Sequence, residues 1–345
     1  MKAIKIIGVL LILYSILGGM LIPLGPGLTD VQPEIVRAGE SNELTITGYN
    51  THFGSSTERS VWLKIDDEQG IKANGLTALD ENTLKASFDL PANLPLERDT
   101  QLVTLVVDNA QDGLAVLPNA LRLFNVRDTT QSMAGLTSFA DFHLRHSLTF
   151  PYRNLLIESI RNTFYHIPMW FAMVIIFAIA LVHSIRQLMA PSPRKDYLAA
   201  SYTSVGILYG VLGITTGALW AKYTWGEYWS WDPKQNVAAI ALLIYFAYFI
   251  LRSSFDDPER GARLSAVYNI FAFAAMIPLL FVIPRLTSSL HPGNGGNPGF
   301  GGEDLDNTMR YFLYPAVIGW IFFGVWLATL RTRYLGLKDR FFSRS

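Results

Sequence analysis

The 345-residue sequence predicts an α-helical polytopic membrane protein with six transmembrane helices and an inserted all-β, immunoglobulin-like sandwich domain. Apolar residues make up 50% of the chain and gather into six blocks, each long enough, or nearly so, for a helix to cross ~30 Å of hydrocarbon. Between the first and second blocks lies a polar, charged stretch in which apolar residues alternate with period two, the pattern of half-buried strands. Basic residues cluster at alternate ends of the successive blocks, as a chain crossing a membrane repeatedly requires.

The first apolar block, about 4–24, sits in a segment 1–27 that opens with Lys2 and Lys5. A signal peptide has the same charge-then-apolar order. Gly18-Gly19-Met20-Leu21-Ile22 continues apolar with no A-x-A site, so a retained first transmembrane helix is expected. Residues 28–127 form the β-domain, with alternation in 43–47, 61–65, 84–88, 102–107 and 121–124. Asn74-Gly75 and Asp112-Gly113 supply turn chemistry between these runs. Short strands at this spacing indicate a small antiparallel sandwich. The opening Val31-Gln-Pro-Glu-Ile-Val-Arg-Ala-Gly39, with Leu44-Thr-Ile-Thr-Gly-Tyr49 after it, resembles an IPT/TIG module, for which a docking or spacer role is expected. Residues 128–163 interleave Phe139, Phe142, Leu148, Phe150, Tyr152 and Ile160 with polar residues, and Pro151 breaks any single helix. This stretch is expected to be a linker with an interfacial helix.

The remaining blocks, about 164–188, 197–220, 235–252, 264–284 and 309–330, make a five-helix membrane domain over 164–330, and 331–345 is a basic tail. Arg186, Arg194 and Lys195, then Arg252, Arg260 and Arg263, then Arg331, Arg333, Lys338, Arg340 and Arg344 alternate with short loops that carry only Lys222, Lys234 and Arg285. By the positive-inside rule both termini and the tail are cytoplasmic. Segments 25–163, 221–234 and 285–308 then lie outside, which in a bacterial inner membrane means the periplasm.

Zero formal net charge gives no bulk electrostatic case for nucleic acid, and without cysteine there is neither a disulfide framework nor a thiolate metal site. His52 is alone in the β-domain; His143 and His146 are spaced i, i+3 but lack a third ligand nearby, so a solvated polar face is the simpler reading than a metal pair. The informative stretch is Trp225-Gly226-Glu-Tyr-Trp229-Ser-Trp231-Asp232-Pro233-Lys234, a tryptophan-rich outer loop between two apolar blocks. Such rings suit an interfacial aromatic belt, or a platform for a large flat apolar ligand. A belt does not explain the order W-G-x-x-W-x-W-D. Asp232 before Pro233 suits an N-cap with Pro at the first helical position; direct ligand contact is the alternative.

Topology puts two histidines on the same outer face. His166 lies at the outer end of the second block, near its start, in Phe164-Tyr-His166-Ile-Pro168, and His291 lies in the last outer loop in Ser288-Ser-Leu290-His291-Pro292. Two imidazoles above aromatic rings are what bis-histidine ligation of heme iron needs. His183 is seventeen residues after His166, about 25 Å along a helix, so it cannot share an iron with His166. Lys222, Lys234, Arg285 and Arg310 border the same face and would suit heme propionates or serve as ordinary membrane-edge charges. Gly293–Gly302, eight of whose ten residues are glycine or asparagine, is expected to be a flexible cover, since it lacks the context of a phosphate loop.

Three stretches resemble, in order and spacing, the heme-handling WWD-domain family of cytochrome c biogenesis (CcmC/CcsA), and CcmC most. They are Phe164-Tyr-His166-Ile-Pro168, then Thr216-Gly-Ala-Leu-Trp220-Ala-Lys222 running into the tryptophan-rich loop, then Leu290-His291. The resemblance covers about 155–330. It implies that His166 and His291 are the axial ligands of heme b and that Trp220, Trp225, Gly226, Trp229, Trp231 and Asp232 belong to the cofactor-binding surface. It also implies delivery of heme to a periplasmic CcmE-like heme chaperone, with CcmA/CcmB-like ABC transporter components as partners. Trp231-Asp232-Pro233-Lys234 is closer to the CcsA-type synthetase component, which has more helices and a further histidine pair. The inserted β-domain departs from both patterns and leaves the partner of that domain open.

No nucleophile with an adjacent base is visible, so heme handling, or a part in a heme lyase, is expected rather than a self-contained catalytic site. An electron-transfer cytochrome would place its histidine pairs within the helices. A heme-free scaffold displaying the β-domain would reduce the tryptophans to a belt. A transporter would be expected to carry ionisable residues mid-helix or an inverted repeat, and neither is evident.

Overall fold

The computed structural model describes residues 2–94, 99–125, 136–139, 142–143, 148–154, 156–291 and 305–342. The chain divides into two compact units, Met1–Ile22 with Glu158–Ser345, and Pro23–Ile157. His146 and the glycine-rich stretch 293–302 lie outside the described residues.

The first unit contains α1 (Lys2–Leu21), α2 (Thr163–Met189), α3 (Pro193–Trp225), α4 (Pro233–Ser253), α5 (Pro258–Ile277) and α6 (Asn307–Phe342). Each of the six lies in a span long and apolar enough to cross a bilayer, and the chain is a multi-pass membrane protein. The helices run past the apolar blocks because their ends are set by capping chemistry rather than hydropathy. Ser192, Asp232 and Asp257 each accept a backbone N–H two or three residues on, and each precedes a proline at the first position of its helix. These caps start α3, α4 and α5 where an orphan amide would otherwise be left unpaired. Gly226, at φ +89°, ends α3 in a left-handed turn with its N–H on the Lys222 carbonyl, a conformation that costs an L side chain but not glycine.

The fifth block is not one α-helix. After α5 the chain takes a π-turn at Pro278–Val282 and a 3-10 turn at Ile283–Arg285. Pro278 and Pro284 supply no N–H to the ladder, and the wider turn turns this end of the span toward a cavity described below.

Helices α2 and α3 pack at close range along a glycine seam. A Cβ added at Gly206 would come within 2.5 Å of Phe177, at Gly213 within 2.9 Å of Trp170 and at Gly217 within 2.6 Å of His166. Small residues of this kind let helices pack tightly where lipid offers no hydrophobic driving force. Phe177 stacks on Tyr245 of α4 at 3.6 Å between ring centres, and both are buried with Ile176, Ala180 and Tyr209. At the other end of α3, Asp196 forms a two-pronged ion pair with Arg252 of α4, one contact at 2.6 Å. Charges at the edge of an apolar bundle need such a partner. His183 stacks on Tyr202 at 5.5 Å.

The second unit holds β1 (Gly27–Gln32), β2 (Ile35–Arg37), β3 (Ser41–Tyr49), β4 (Arg59–Lys64), β5 (Gln69–Lys72), β6 (Gly75–Ala78), β7 (Thr83–Asp89), β8 (Thr100–Asn109), β9 (Gly113–Phe124) and β10 (Thr137–Ser138). They form a four-stranded sheet, β1-β3-β7-β6, and a six-stranded sheet, β10-β5-β4-β8-β9-β2. Among the described strands of the two sheets, β2 pairs β9 in parallel and the other pairings are antiparallel. The inward positions of the alternating runs, among them Leu44, Ile46, Val61, Leu63, Leu84, Phe88, Leu105 and Leu121, bury one shared core. Gly113, at φ +71°, makes the β8–β9 turn. Asn74-Gly75 instead lies where the chain passes from β5 in one sheet to β6 in the other.

Part of the expected linker belongs to this unit. Ser138, in the edge strand β10, pairs with Gln69 of β5, and Phe139 packs edge-on against Trp62. The His143 ring meets Asp108 at 2.8 Å through Nδ1 and Glu58 at 3.3 Å through Nε2. His52 meets Asp112 through Nδ1 at 2.7 Å. The helical piece found in the described part of 128–163 is the 3-10 turn Ile157–Asn162, which leads into α2.

Candidate functional site

A cavity of about 390 Å³ opens in the membrane unit, within the usual range of small-molecule and cofactor sites. Helix α2 supplies His166, Trp170 and Val174 to its wall; α3 supplies Ile214, Gly217 and Ala218; α4 supplies Lys234, Gln235 and Ala238. The π-turn and 3-10 turn add Leu280, Phe281 and Pro284, and the loop segments add Trp229 and His291. Two histidines 125 positions apart thus face one predominantly apolar space.

His166 is seated by α3. Its Nδ1 lies 3.0 Å from the Gly213 carbonyl and 3.2 Å from the Thr216 hydroxyl, which itself donates to Leu212. A carbonyl only accepts, so the neutral ring carries its proton on Nδ1 and its lone pair on Nε2. The seat exists because residue 217 has no side chain. Trp170 and Trp220 pack edge-on against the ring at 6.2 and 5.8 Å between centres, and Trp220 is itself fixed by donating to Ser159.

His291 is held by a carboxylate. Its Nδ1 lies 2.9 Å from Asp232 Oδ1, and Trp225 packs edge-on against the ring at 4.7 Å. Burial pulls the His291 pKa below its ordinary value, Asp232 opposing it, which favours the neutral ring. Burial alone would raise the Asp232 carboxyl. Amide donors from Leu290 and Lys234, the His291 ring and the Ser289 hydroxyl outweigh it, and the group sits below the usual carboxylate range.

The loop between α3 and α4 is stitched to the first turn of α4. Gln235 accepts from the Ser230 amide, and Asn236 donates to the Trp231 carbonyl at 2.7 Å, holding Trp231 at φ +57°. Trp229 turns into the cavity. Trp231 packs edge-on against Trp229 but is 76% exposed and does not line the space. Of the cations that border this face, Lys234 lines the cavity. Lys222 instead donates to the Gly226 carbonyl, and Arg310 to the Asn307 side chain.

Several contributors escaped sequence reasoning. Gly213 and Gly217 carry a legible signal, a glycine spacing of 206, 210, 213 and 217 that marks one helix face. Ser289, which donates to Asp232 at 2.9 Å, carries none. Neither do Leu280 and Phe281, whose placement depends on the π-turn.

Chemically, the cavity offers two imidazole nitrogens, apolar and aromatic walls, and one ammonium at its edge. Among the described residues no group of three or more His, Cys, Asp or Glu side chains is placed to hold a metal ion. Two imidazoles in an apolar, aromatic-walled space suit a largely apolar ligand that carries a metal centre.

Comparison with known proteins points the same way. Residues 144–343 match the family model described as heme exporter protein C, CcmC. Heme exporter protein C of Bradyrhizobium diazoefficiens is 27% identical over 172 residues, half of this chain and 64% of the relative. That of Paracoccus denitrificans is 25% identical over 175 residues, 51% of this chain and 72% of the relative. The cytochrome c biogenesis protein CcsA of a Synechococcus strain is 38% identical over a shorter 86 residues, a quarter of this chain and 28% of the relative. The family match takes in α2 to α6, both cavity histidines and the tryptophan-rich loop, more than half of all residues, and the chain belongs to the heme exporter protein C (CcmC) family.

Proposed function

We propose that this protein binds heme b between His166 and His291 at the periplasmic face of a bacterial inner membrane and delivers it to a periplasmic heme chaperone for cytochrome c maturation. The observation that carries the reading is the convergence of the two histidines, from distant segments, on one apolar cavity walled by Trp170 and Trp229. The rings are each held at Nδ1, which suits Nε2 coordination. Trp220 and Trp225 back the two imidazoles, Gly226 and Asp232 bound the loop, and Trp231 stands at its outer surface, where an approaching partner would meet it.

In this reading heme supplies the redox-active iron and its reactive vinyl groups, while the chain binds, orients and shields it. Lys234 faces a propionate. Both termini are cytoplasmic, in accord with the basic clusters at Lys2, Lys5 and Arg331–Arg344. The two-sheet unit is an immunoglobulin-like, IPT/TIG-type sandwich that docks or spaces a partner. CcmE-like chaperone and CcmA/CcmB-like transporter components are the partners that the family's role calls for. A CcsA-type role, attaching heme to the cytochrome directly, is the second reading, favoured by the similarity to CcsA proteins.

The test is transfer. Heme-loaded protein is mixed with an apo heme chaperone and, separately, with an apocytochrome c, and the heme is followed by separation and pyridine hemochrome. Heme moving to the chaperone supports delivery; direct appearance of holocytochrome supports the second reading. A protein that takes up no heme under ample supply contradicts both.

A further inference from the structure

Asp232 does more than begin a helix. The carboxylate is 4% exposed and accepts four hydrogen bonds. One comes from the Lys234 amide at 2.9 Å, the cap of α4. Three come from a segment 57 to 59 residues away: the Ser289 hydroxyl at 2.9 Å, the Leu290 amide at 2.7 Å and His291 Nδ1 at 2.9 Å. The Ser289 hydroxyl oxygen in turn accepts the His291 amide at 3.1 Å. The same side chain therefore fixes the first turn of α4, the Leu290 backbone and the ring of His291, which reaches the cavity.

The two cavity histidines are supported unequally. His166 gives its Nδ1 proton to a neutral carbonyl, Gly213, whereas His291 gives its own to an anion. A carboxylate on the far nitrogen fixes the tautomer, sets the ring's rotation and makes the near nitrogen a stronger donor.

We propose that Asp232 is the positioning residue for His291: it holds the ring with Nε2 toward the cavity and makes it the stronger of two unequal axial donors. This rests on the reading of His166 and His291 as heme ligands. It also accounts for the aspartate's place directly before Pro233. At the N-cap the carboxylate is anchored by the helix's own amide and can still meet the incoming 289–291 segment.

The test compares wild type with Asp232→Asn, Asp232→Glu, Ser289→Ala and His291→Ala, each purified as the full chain in detergent and titrated with hemin. Heme affinity, the ferric low-spin electron paramagnetic resonance signal and the midpoint potential are read for each. Asn caps helices about as well as Asp, so Asp232→Asn keeps α4. Its heme affinity falls about 10–100-fold, and its potential moves positive because a neutral amide replaces the anion. Asp232→Glu keeps the charge but displaces the contact, so affinity falls while the potential stays near wild type. Ser289→Ala has the smallest effect. Wild-type affinity, signal and potential in Asp232→Asn would overturn the proposal and leave Asp232 a helix cap. If that variant does not accumulate, wild-type values in Asp232→Glu overturn it instead. A His291→Ala protein indistinguishable from wild type would defeat the ligand reading itself, a separate failure.

Discussion

The β unit and the membrane unit both pair histidine with aspartate, with opposite consequences. In the β unit His143 has both ring nitrogens against carboxylates, Asp108 and Glu58, and His52 lies on Asp112 with much of its side chain in solvent. In the membrane unit His166 and His291 are each held at Nδ1 and face an apolar space. Carboxylates at both nitrogens favour a charged imidazolium; one support beside an apolar cavity favours a neutral ring with a lone pair to give. A histidine's partner alone does not distinguish the two units; what sets His166 and His291 apart is the apolar cavity they line.

The sharpest separation of the units is a stability change in one without loss of function in the other. Phe88→Ala removes a fully buried ring from the β core and should cost about 3–5 kcal/mol, seen as earlier thermal unfolding of the strand signal, with heme content unchanged. Heme loss in step with β unfolding would break the comparison.

A change confined to the α2–α3 seam should do the reverse. Gly217→Ala would put a methyl 2.6 Å from His166 Cε1 and displace the ring, so heme affinity should fall roughly tenfold, the lower end of what lost ligand support costs. Gly336→Ala, with nothing within 4 Å, is the matched control and should bind as wild type.

Within the loop, Trp229→Ala opens the cavity wall and should weaken heme binding in a hemin titration more than Trp231→Ala, whose ring stands outside the cavity. Equal effects would mean that the loop rearranges around its ligand.

The smallest effect concerns pH. The Asp108 hydrogen bond, then its charge, raises the His143 pKa above the ordinary 6.5. The pair's contribution is therefore fully present below pH 6.5 and lost as pH rises through the raised folded-state value. His143→Gln should flatten that decline in the thermal stability of the β unit as pH rises above 6.5, without altering the heme spectrum.

Much of this was legible in the sequence, and the omissions have physical causes. The six membrane blocks follow from hydropathy, and the long β strands from alternation, because both patterns are written one residue at a time. Helix ends were displaced by capping, as at Ser192-Pro193 and Gly226, which hydropathy does not register. The short strands β2, β5, β6 and β10 have too few residues to show a period. At the site, His166, His291 and the loop tryptophans stand out by type and order. Their supports are only partly legible: the glycine spacing 206, 210, 213 and 217 marks a helix face but not the ring it seats, and Asp232 stands in the motif without its partner Ser289, which it meets only after a 57-residue detour through α4 and α5. Trp231 belongs to the motif by sequence yet is exposed and stands clear of the cavity, in a left-handed backbone conformation that the sequence does not announce.

The central claim is that His166 and His291 coordinate one heme from opposite sides. The direct measurement is the visible spectrum, with a pyridine hemochrome assay, of the purified protein beside His166→Ala and His291→Ala, with His52→Ala and His143→Ala as controls. The account predicts a six-coordinate low-spin heme in wild type and in both controls, and a weakened or altered heme in each cavity variant. A spectrum indifferent to both cavity substitutions, or no heme in any of the proteins after expression with ample heme, would contradict it.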